Sequence, residues 1–169
     1  PIRIHLLSYC EVKIVQRHGG VVDKFIGDNL MVVWGVPYPI EKASEKAVQA
    51  AWEMIQEVKN WGEDLQRQGL PPIGIGAGLN LGNVIAGSLG SSDHMEYTVI
   101  GDVVNTAQRA ESIAKRHELL VTDAFYQEVK EMVEAIPMEP VKVKGKDILQ
   151  HFWSVTAFKG GISTLISSL

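Results

Sequence analysis

The feature of the sequence that most constrains the fold is a pair of strand-forming runs joined by a tight turn. Val21–Ile26 and Leu30–Trp34 are rich in β-branched and bulky residues, and Gly27-Asp28-Asn29 separates them. Gly, Asp and Asn are favoured in hairpin turns because they readily adopt the backbone angles that such turns require. The pattern therefore predicts a β-hairpin with Asp28 at its tip.

Two helices are predicted around this hairpin. Apolar residues recur at helical spacing from Ile40 to about Gln68, and Gly69 with the following Pro71-Pro72 ends that element. A shorter helix is predicted from Leu6 to His18, before the Gly19-Gly20 pair. Helices and hairpins in one chain indicate an α+β or α/β sandwich.

The rest of the chain is predicted to alternate short strands with short helices. The predicted strands are Ile73–Leu81, Asn83–Leu89, Met95–Ile100, Leu119–Val121, and runs near Val141–Val143 and Gln150–Val155. The predicted helices are Val103–His117, with Asp102 as its N-cap, and Asp123 to about Glu131. The first two strands are expected to pair, and their glycines indicate close backbone approaches.

Composition sets the class of protein. The 169 residues suit one domain, with 46% hydrophobic and 21% charged residues. A formal charge of −4, from 16 basic against 20 acidic residues, argues against a broad nucleic-acid-binding face, so any phosphate site must be local. The single Cys10 cannot form an internal disulfide. No apolar run approaches the roughly 20 residues needed to span a bilayer, so we expect no membrane contact by this segment.

The first stretch with chemical potential is Asp23–Gly35. A carboxylate on a hairpin tip, such as that of Asp28, can hold a hard divalent cation, although turn formation is the commoner role of such a residue. Lys24 can point a cationic donor at a ligand or lie in solvent. Asp23 is expected to point to the opposite face of the strand from Lys24, because successive side chains alternate.

The second stretch is Glu96–Arg109. Asn105 and Arg109 are four residues apart, so a helix places them on one face, one turn from each other. An amide beside a permanent cation suits a sugar and a phosphate held side by side. By spacing alone, an ordinary solvated helix surface is the favoured interpretation of these two side chains.

Together the two stretches resemble the catalytic domain of the class III adenylate and guanylate cyclases, especially bacterial adenylate cyclases. The resemblance runs from about Ile14 to Val155 and includes the Gly-rich segment Gly74–Gly87. It implies a ferredoxin-like βαββαβ core with additional C-terminal α/β elements. It also implies a catalytic domain over residues 1–158, a tail over 159–169, and a head-to-tail homodimer with active sites at the interface.

The resemblance also implies roles for individual residues. Asp28 matches one of two aspartates that bind a pair of Mg²⁺ or Mn²⁺ ions. Lys24 and Thr98 match the pair that reads the purine, in the combination that the family associates with adenine. Asn105 matches the residue that orients the ribose, and Arg109 the one that stabilises charge on the α-phosphate. The lysine that holds the triphosphate corresponds to Lys144.

Base chemistry agrees with this reading. Adenine presents an acceptor at N1 and a donor at its amino group, and a lysine with a threonine hydroxyl matches that pattern, whereas guanine reverses it. The expected reaction is conversion of ATP to cyclic AMP and pyrophosphate in cytoplasmic signal transduction. Regulatory domains are expected outside this segment. Guanylate cyclase activity is the alternative to adenylate cyclase activity within the same family.

The chain departs from the family pattern at its first strand, which should carry the other metal-binding aspartate and lie centrally in the sheet. Residues 1–22 contain no aspartate, and Glu11 lies within a predicted helix. Either residues preceding Pro1 supply that strand, or this is a cyclase-like domain that dimerises or binds nucleotide without turnover. Retention of Asp28, Asn105 and Arg109 favours the first explanation. An RNA-binding or other ligand-binding module is disfavoured by the acidic balance and the few aromatics.

Overall fold

A computed structural model describes residues 2–91, 94–142 and 149–159 of the chain. The described residues form four helices and ten strands. In chain order these are α1 (Ile2–Arg17), β1 (Val21–Ile26), β2 (Asn29–Val33), α2 (Ala43–Arg67), β3 (Ala77–Leu79), β4 (Ile85–Ser91), β5 (His94–Ile100), α3 (Asp102–Ile113), β6 (Leu119–Thr122), α4 (Asp123–Val129), β7 (Val133–Pro137), β8 (Val141–Lys142), β9 (Leu149–Gln150) and β10 (Phe152–Phe158). None of the described helices combines the length and hydropathy of a membrane span.

The main sheet has four strands in the order β3-β6-β10-β7. β3 runs parallel to β6, whereas β10 is antiparallel to both β6 and β7. Three two-stranded sheets, β1-β2, β4-β5 and β8-β9, accompany it. A mixed sheet combined with hairpins and helices confirms the α+β class predicted from the sequence.

The core is built around β6, which is buried along its whole length. Leu119 and Val121 pack in a cluster with Val48 and Ile55 of α2, while Leu120, on the opposite face, packs with α3 and β10. Because side chains alternate along a strand, one short segment thereby supports helices on both of its faces. The apolar residues that predicted α2 form the buried face of this helix. The helix ends at Arg67, one residue before the predicted end at Gln68.

The predicted β-hairpin is confirmed. β1 and β2 are antiparallel, and Ile26 pairs with Asn29, which leaves Gly27 and Asp28 as the two turn residues. Gly27 has a φ of 65°, a conformation that glycine adopts without a steric penalty. Asp28 is exposed at the tip, as the sequence predicts.

The hairpin is not continuous with the main sheet. Within the part of the chain that the structure describes, β2 pairs with β1 alone and β3 pairs with β6 alone. Both β2 and β3 are therefore edge strands, each with one side unpaired among the described residues. This interruption agrees with the expectation that residues 1–22 do not supply the family's first, central strand.

The predicted pairing of the two glycine-rich strands is wrong. Only Ala77–Leu79 of the first forms a strand, and it pairs with β6, which is distant in sequence. The second, Ile85–Ser91, pairs with β5 as an antiparallel ribbon. The two runs were predicted to pair because they are adjacent in sequence. In the structure β6 is buried, so its backbone groups need hydrogen bonds from a neighbouring strand, and β3 is one such neighbour. β7, between residues 133 and 137, was not predicted at all.

Several predicted helix ends also require correction. Gly101, not Asp102, is the N-cap of α3, and no side chain caps this end. Asp102 is instead the first helical residue, where its negative charge complements the helix dipole. The helix ends at Ile113 rather than His117, because Ala114 is extended. α1 begins at Ile2, before the predicted Leu6, and α4 ends at Val129, before the predicted Glu131.

Glu11 of α1 is an acidic residue in a buried position, with 9% of its surface exposed. Burial raises its pKa from 4.5 to about 7, because removal from water disfavours the charged form. The folded state therefore binds a proton more tightly than the unfolded state, and the protein loses stability as the pH rises between these two values.

Replacing this carboxyl group should remove that loss. We expect Glu11→Gln to raise the free energy of unfolding at pH 8 by about 3 kcal/mol relative to wild type, and to give no gain at pH 4. Denaturant unfolding followed by circular dichroism at several pH values measures the difference. Glu57→Gln, at an exposed position on α2, is the matched control. An unchanged pH dependence in Glu11→Gln would contradict the assignment.

Candidate functional site

A cluster of polar side chains joins β1 to β5. The Thr98 hydroxyl donates a hydrogen bond to Asp23 Oδ2 over 2.9 Å, and the two residues are 75 positions apart in the sequence. Lys24 Nζ lies 3.7 Å from the same Asp23 oxygen and 3.3 Å from Glu96 Oε2. The structure therefore brings together Lys24 and Thr98, the two residues predicted to read a purine.

Asp23 does not lie where the sequence predicts. Its side chain is only 4% exposed and lies beside that of Lys24, not on the opposite face. The reason is a β-bulge: Val22 pairs with Val32 and Lys24 with Met31, so Asp23 has no partner across the hairpin. An extra residue in one strand interrupts the regular alternation of side chains. No periodicity in the sequence reveals such a bulge, so this residue was missed.

Asn105 and Arg109 lie on α3, which begins two residues after β5 ends and contacts that strand. Asn105 is exposed, whereas Arg109 is half-buried and its Nη1 atom is inaccessible to solvent. The predicted helical spacing is confirmed. A partly buried guanidinium is a fixed positive charge in a medium that screens it less than water does.

Asp28 lies within electrostatic range of the same helix. Burial raises the pKa of Glu111, and the negative charge of Asp28 raises it further. Within residues 2–91, 94–142 and 149–159, no three potential metal ligands come together. Asp28 is thus the one predicted metal ligand that these segments supply, and Lys144 lies outside the described residues.

The position of α3 depends on Gly78 and Asn80, to which the sequence analysis assigned no individual role. A Cβ at Gly78 of β3 would lie 2.2 Å from Glu111 N and 2.5 Å from Ala107 O, so only glycine allows the helix to pack this closely. Asn80 Nδ2 donates to Val103 O over 2.9 Å, and Asn80 Oδ1 accepts from the Thr122 hydroxyl over 2.8 Å. These contacts join α3 to β3 and β6.

The family model for the adenylate and guanylate cyclase catalytic domain matches residues 12–156. The chain belongs to this family. This confirms the resemblance inferred from the two sequence stretches and sets aside an unrelated RNA-binding module. A relative, the adenylate cyclase of Anabaena cylindrica, is 31% identical to this chain in an alignment 158 residues long that covers 88% of this chain and 30% of that protein. The chain spans 23% to 30% of the length of two curated adenylate cyclases that it matches.

Solved structures confirm the cyclase fold. The adenylyl cyclase CyaB from P. aeruginosa superimposes with a TM-score of 0.84 at 26% identity, over 94% of this chain and 83% of that one. The guanylate cyclase domain of RhGC from Catenaria anguillulae, in complex with GTP, gives a TM-score of 0.80 at 33% identity, over 92% of this chain and 82% of that one. Both nucleotide specificities therefore occur among structures that resemble this cyclase domain.

The contact between Gly78 and α3 gives a direct test of how the cyclase domain positions this helix. We expect Gly78→Ala to lower the free energy of unfolding by about 2 kcal/mol, because a methyl group would force β3 and α3 apart. Thermal unfolding measures the loss. Gly87→Ala is the matched control, because a Cβ at Gly87 of β4 meets nothing within 4 Å. Equal stability of the two variants would contradict the close packing.

Proposed function

We propose that this cyclase domain converts ATP to 3′,5′-cyclic AMP and pyrophosphate. The observation that supports this proposal is the cluster in which Lys24 and Thr98 lie around one oxygen of Asp23. The ammonium of Lys24 would donate to adenine N1, and the Thr98 hydroxyl would accept from the 6-amino group. Guanine carries a hydrogen at N1 and an oxygen at position 6, so it fits this pair poorly.

The residues of α3 would act on the rest of the nucleotide. The Asn105 amide, exposed on the helix, would hydrogen-bond the ribose and orient its 3′-hydroxyl for attack. The half-buried guanidinium of Arg109 would stabilise the negative charge that develops on the α-phosphate. An interaction that strengthens in the transition state raises kcat more than it lowers KM.

Mg²⁺ or Mn²⁺ bound at the site would lower the pKa of the 3′-hydroxyl and neutralise phosphate oxygens. Asp28 offers an exposed carboxylate at a turn tip, which suits a hard cation that keeps several other oxygen ligands. Among the described residues, Asp28 belongs to no group of three potential metal ligands. Asp28 therefore fits a shared site that another segment completes, and Lys144 is proposed to hold the triphosphate.

As the resemblance to this family implies, the active form would be a homodimer with the nucleotide at its interface. Each site would take Asp28 from one subunit, and the purine-reading pair with Asn105 and Arg109 from the other. Two equivalent sites would result, as expected for a twofold dimer. Regulatory domains would lie outside this segment, in a protein that acts in cytoplasmic signal transduction.

Guanylate cyclase activity is the alternative within the family, since a GTP-bound guanylate cyclase domain resembles this chain. The other alternative is a cyclase-like domain that binds nucleotide or dimerises without turnover. Both are distinguished from the proposed activity by incubating the full-length protein with ATP or GTP and Mn²⁺ or Mg²⁺, then quantifying the cyclic nucleotide. Faster turnover of GTP than of ATP would contradict the proposed preference for ATP. Absence of any cyclic nucleotide would contradict the proposal that this domain is an active cyclase.

In the same assay, Arg109→Ala should lower kcat for ATP by about 100-fold or more, with a smaller change in KM, because a transition-state charge loses its partner. Arg116→Ala is the matched control, because Arg116 is an exposed arginine that follows α3. Its kcat should stay within about threefold of wild type, as expected for an exposed charge outside the site. Undiminished activity in Arg109→Ala would exclude the role given to this arginine.

Mixing two inactive variants tests the shared site. Asp28→Ala and Arg109→Ala chains, each inactive alone, should regain about a quarter of wild-type activity when mixed in equal amounts. Random pairing makes half of the dimers mixed, and each mixed dimer has one intact site of two. Cyclic AMP formation before and after mixing measures the recovery. If the mixture stays as inactive as its components, the residues do not act across an interface.

A further inference from the structure

The hydrogen bond between Thr98 and Asp23 bears on nucleotide specificity in a way that the purine-reading pair alone does not. We infer that Asp23 is a positioning residue that fixes the direction of the Thr98 hydroxyl, and that it thereby makes the site select adenine over guanine. This inference rests on the proposed function and deepens it, because it assigns specificity to a residue that does not touch the base.

The geometry gives Asp23 this position. Its Oδ2 atom accepts the Thr98 hydroxyl over 2.9 Å and lies 3.7 Å from Lys24 Nζ. One carboxylate oxygen therefore contacts one member of the purine-reading pair and lies beside the other. The β-bulge places it there, since Asp23 has no pairing partner on β2.

The chemistry of the hydroxyl group connects this contact to specificity. A threonine hydroxyl has one hydrogen and two lone pairs, and the hydrogen rotates towards whichever acceptor is available. A carboxylate has only lone pairs to offer, so the hydroxyl hydrogen of Thr98 points at Asp23 and is used in that hydrogen bond. Thr98 then presents only lone pairs to a base, which match the 6-amino group of adenine and oppose the 6-oxygen of guanine.

The surroundings of Asp23 make the commitment strong. The Asp23 side chain is 4% exposed and Thr98 is 7% exposed, so water has little access to their hydrogen bond. Asp23 also lines a cavity of about 200 Å³ whose other walls are largely apolar, among them Val21, Val33 and Val99. A buried carboxylate in such surroundings strongly favours every donor that remains close to it.

Removing the carboxylate should release the hydroxyl. In Asp23→Ala the Thr98 hydrogen is free to point at the 6-oxygen of guanine, and the ratio of kcat/KM for ATP to that for GTP should fall about tenfold, the worth of one hydrogen bond. The fall should come mainly from KM, with kcat for ATP within about threefold of wild type. Asp23→Leu fills the space that alanine would leave and should give the same fall, which covers the case in which Asp23→Ala does not fold.

Two further variants separate positioning from general damage. In Asp23→Asn the amide oxygen can take the Oδ2 position, because both Thr98 and Lys24 favour an acceptor there, so the ratio should stay within about threefold of wild type. Glu96→Ala removes the other carboxylate near Lys24 without touching the Thr98 hydroxyl, so any change that it makes in the ratio should be the same in wild-type and Thr98→Ala backgrounds.

The decisive measurement is a double-mutant cycle on the full-length protein. In a Thr98→Ala background, Asp23→Ala should no longer change the ratio, because the hydroxyl through which it acts is gone. An equal fall in both backgrounds, or no fall in either Asp23→Ala or Asp23→Leu, would overturn the inference while leaving the proposed function in place. A wild-type protein that makes no cyclic AMP, or that prefers GTP, would overturn the proposed function and the inference with it.

Discussion

Burial of β6 on both faces is the constraint on which the rest of the structure depends. Leu119 and Val121 require the apolar face of α2, and Leu120 requires Ala110 of α3 and Phe152 of β10. A strand of four residues buried in this way cannot leave its backbone unpaired, so it has a strand neighbour on each side. The helix with Asn105 and Arg109 is therefore positioned by the core itself.

The candidate site combines this rigid part with a separate one. α3 is held closely against β3 at Gly78, whereas Lys24 and Asp23 belong to a hairpin that is not continuous with the main sheet. The hydrogen bond from Thr98 of β5 to Asp23 of β1 joins the two ribbons that present the proposed purine-reading pair. Because the Asp23 side chain and Thr98 are buried, this contact directs the hydroxyl, and together with the Lys24–Glu96 ion pair it holds β1 beside β5.

Much of the fold and of the site was predictable because it depends on local pattern. The hairpin with Asp28 at its tip, α2 with its apolar face, and the one-turn spacing of Asn105 and Arg109 each depend on residues within a few positions of one another. The errors have a different character. The partner of β3 depends on residues that are distant in sequence, and the direction of Asp23 depends on a bulge that no periodicity signals.

The sequence by itself determined the family, the α+β class and the candidate residues, because two separated stretches retain their residue types and spacing. Only the tertiary structure decided that Asp23 lies between Lys24 and Thr98, since the contact crosses 75 positions and depends on a local irregularity of one strand. Only the tertiary structure likewise explained Gly78, whose missing side chain has meaning once α3 packs against it. Residue identity is local, whereas the direction of a hydrogen bond and the space available to a methyl group depend on the neighbours that folding brings near.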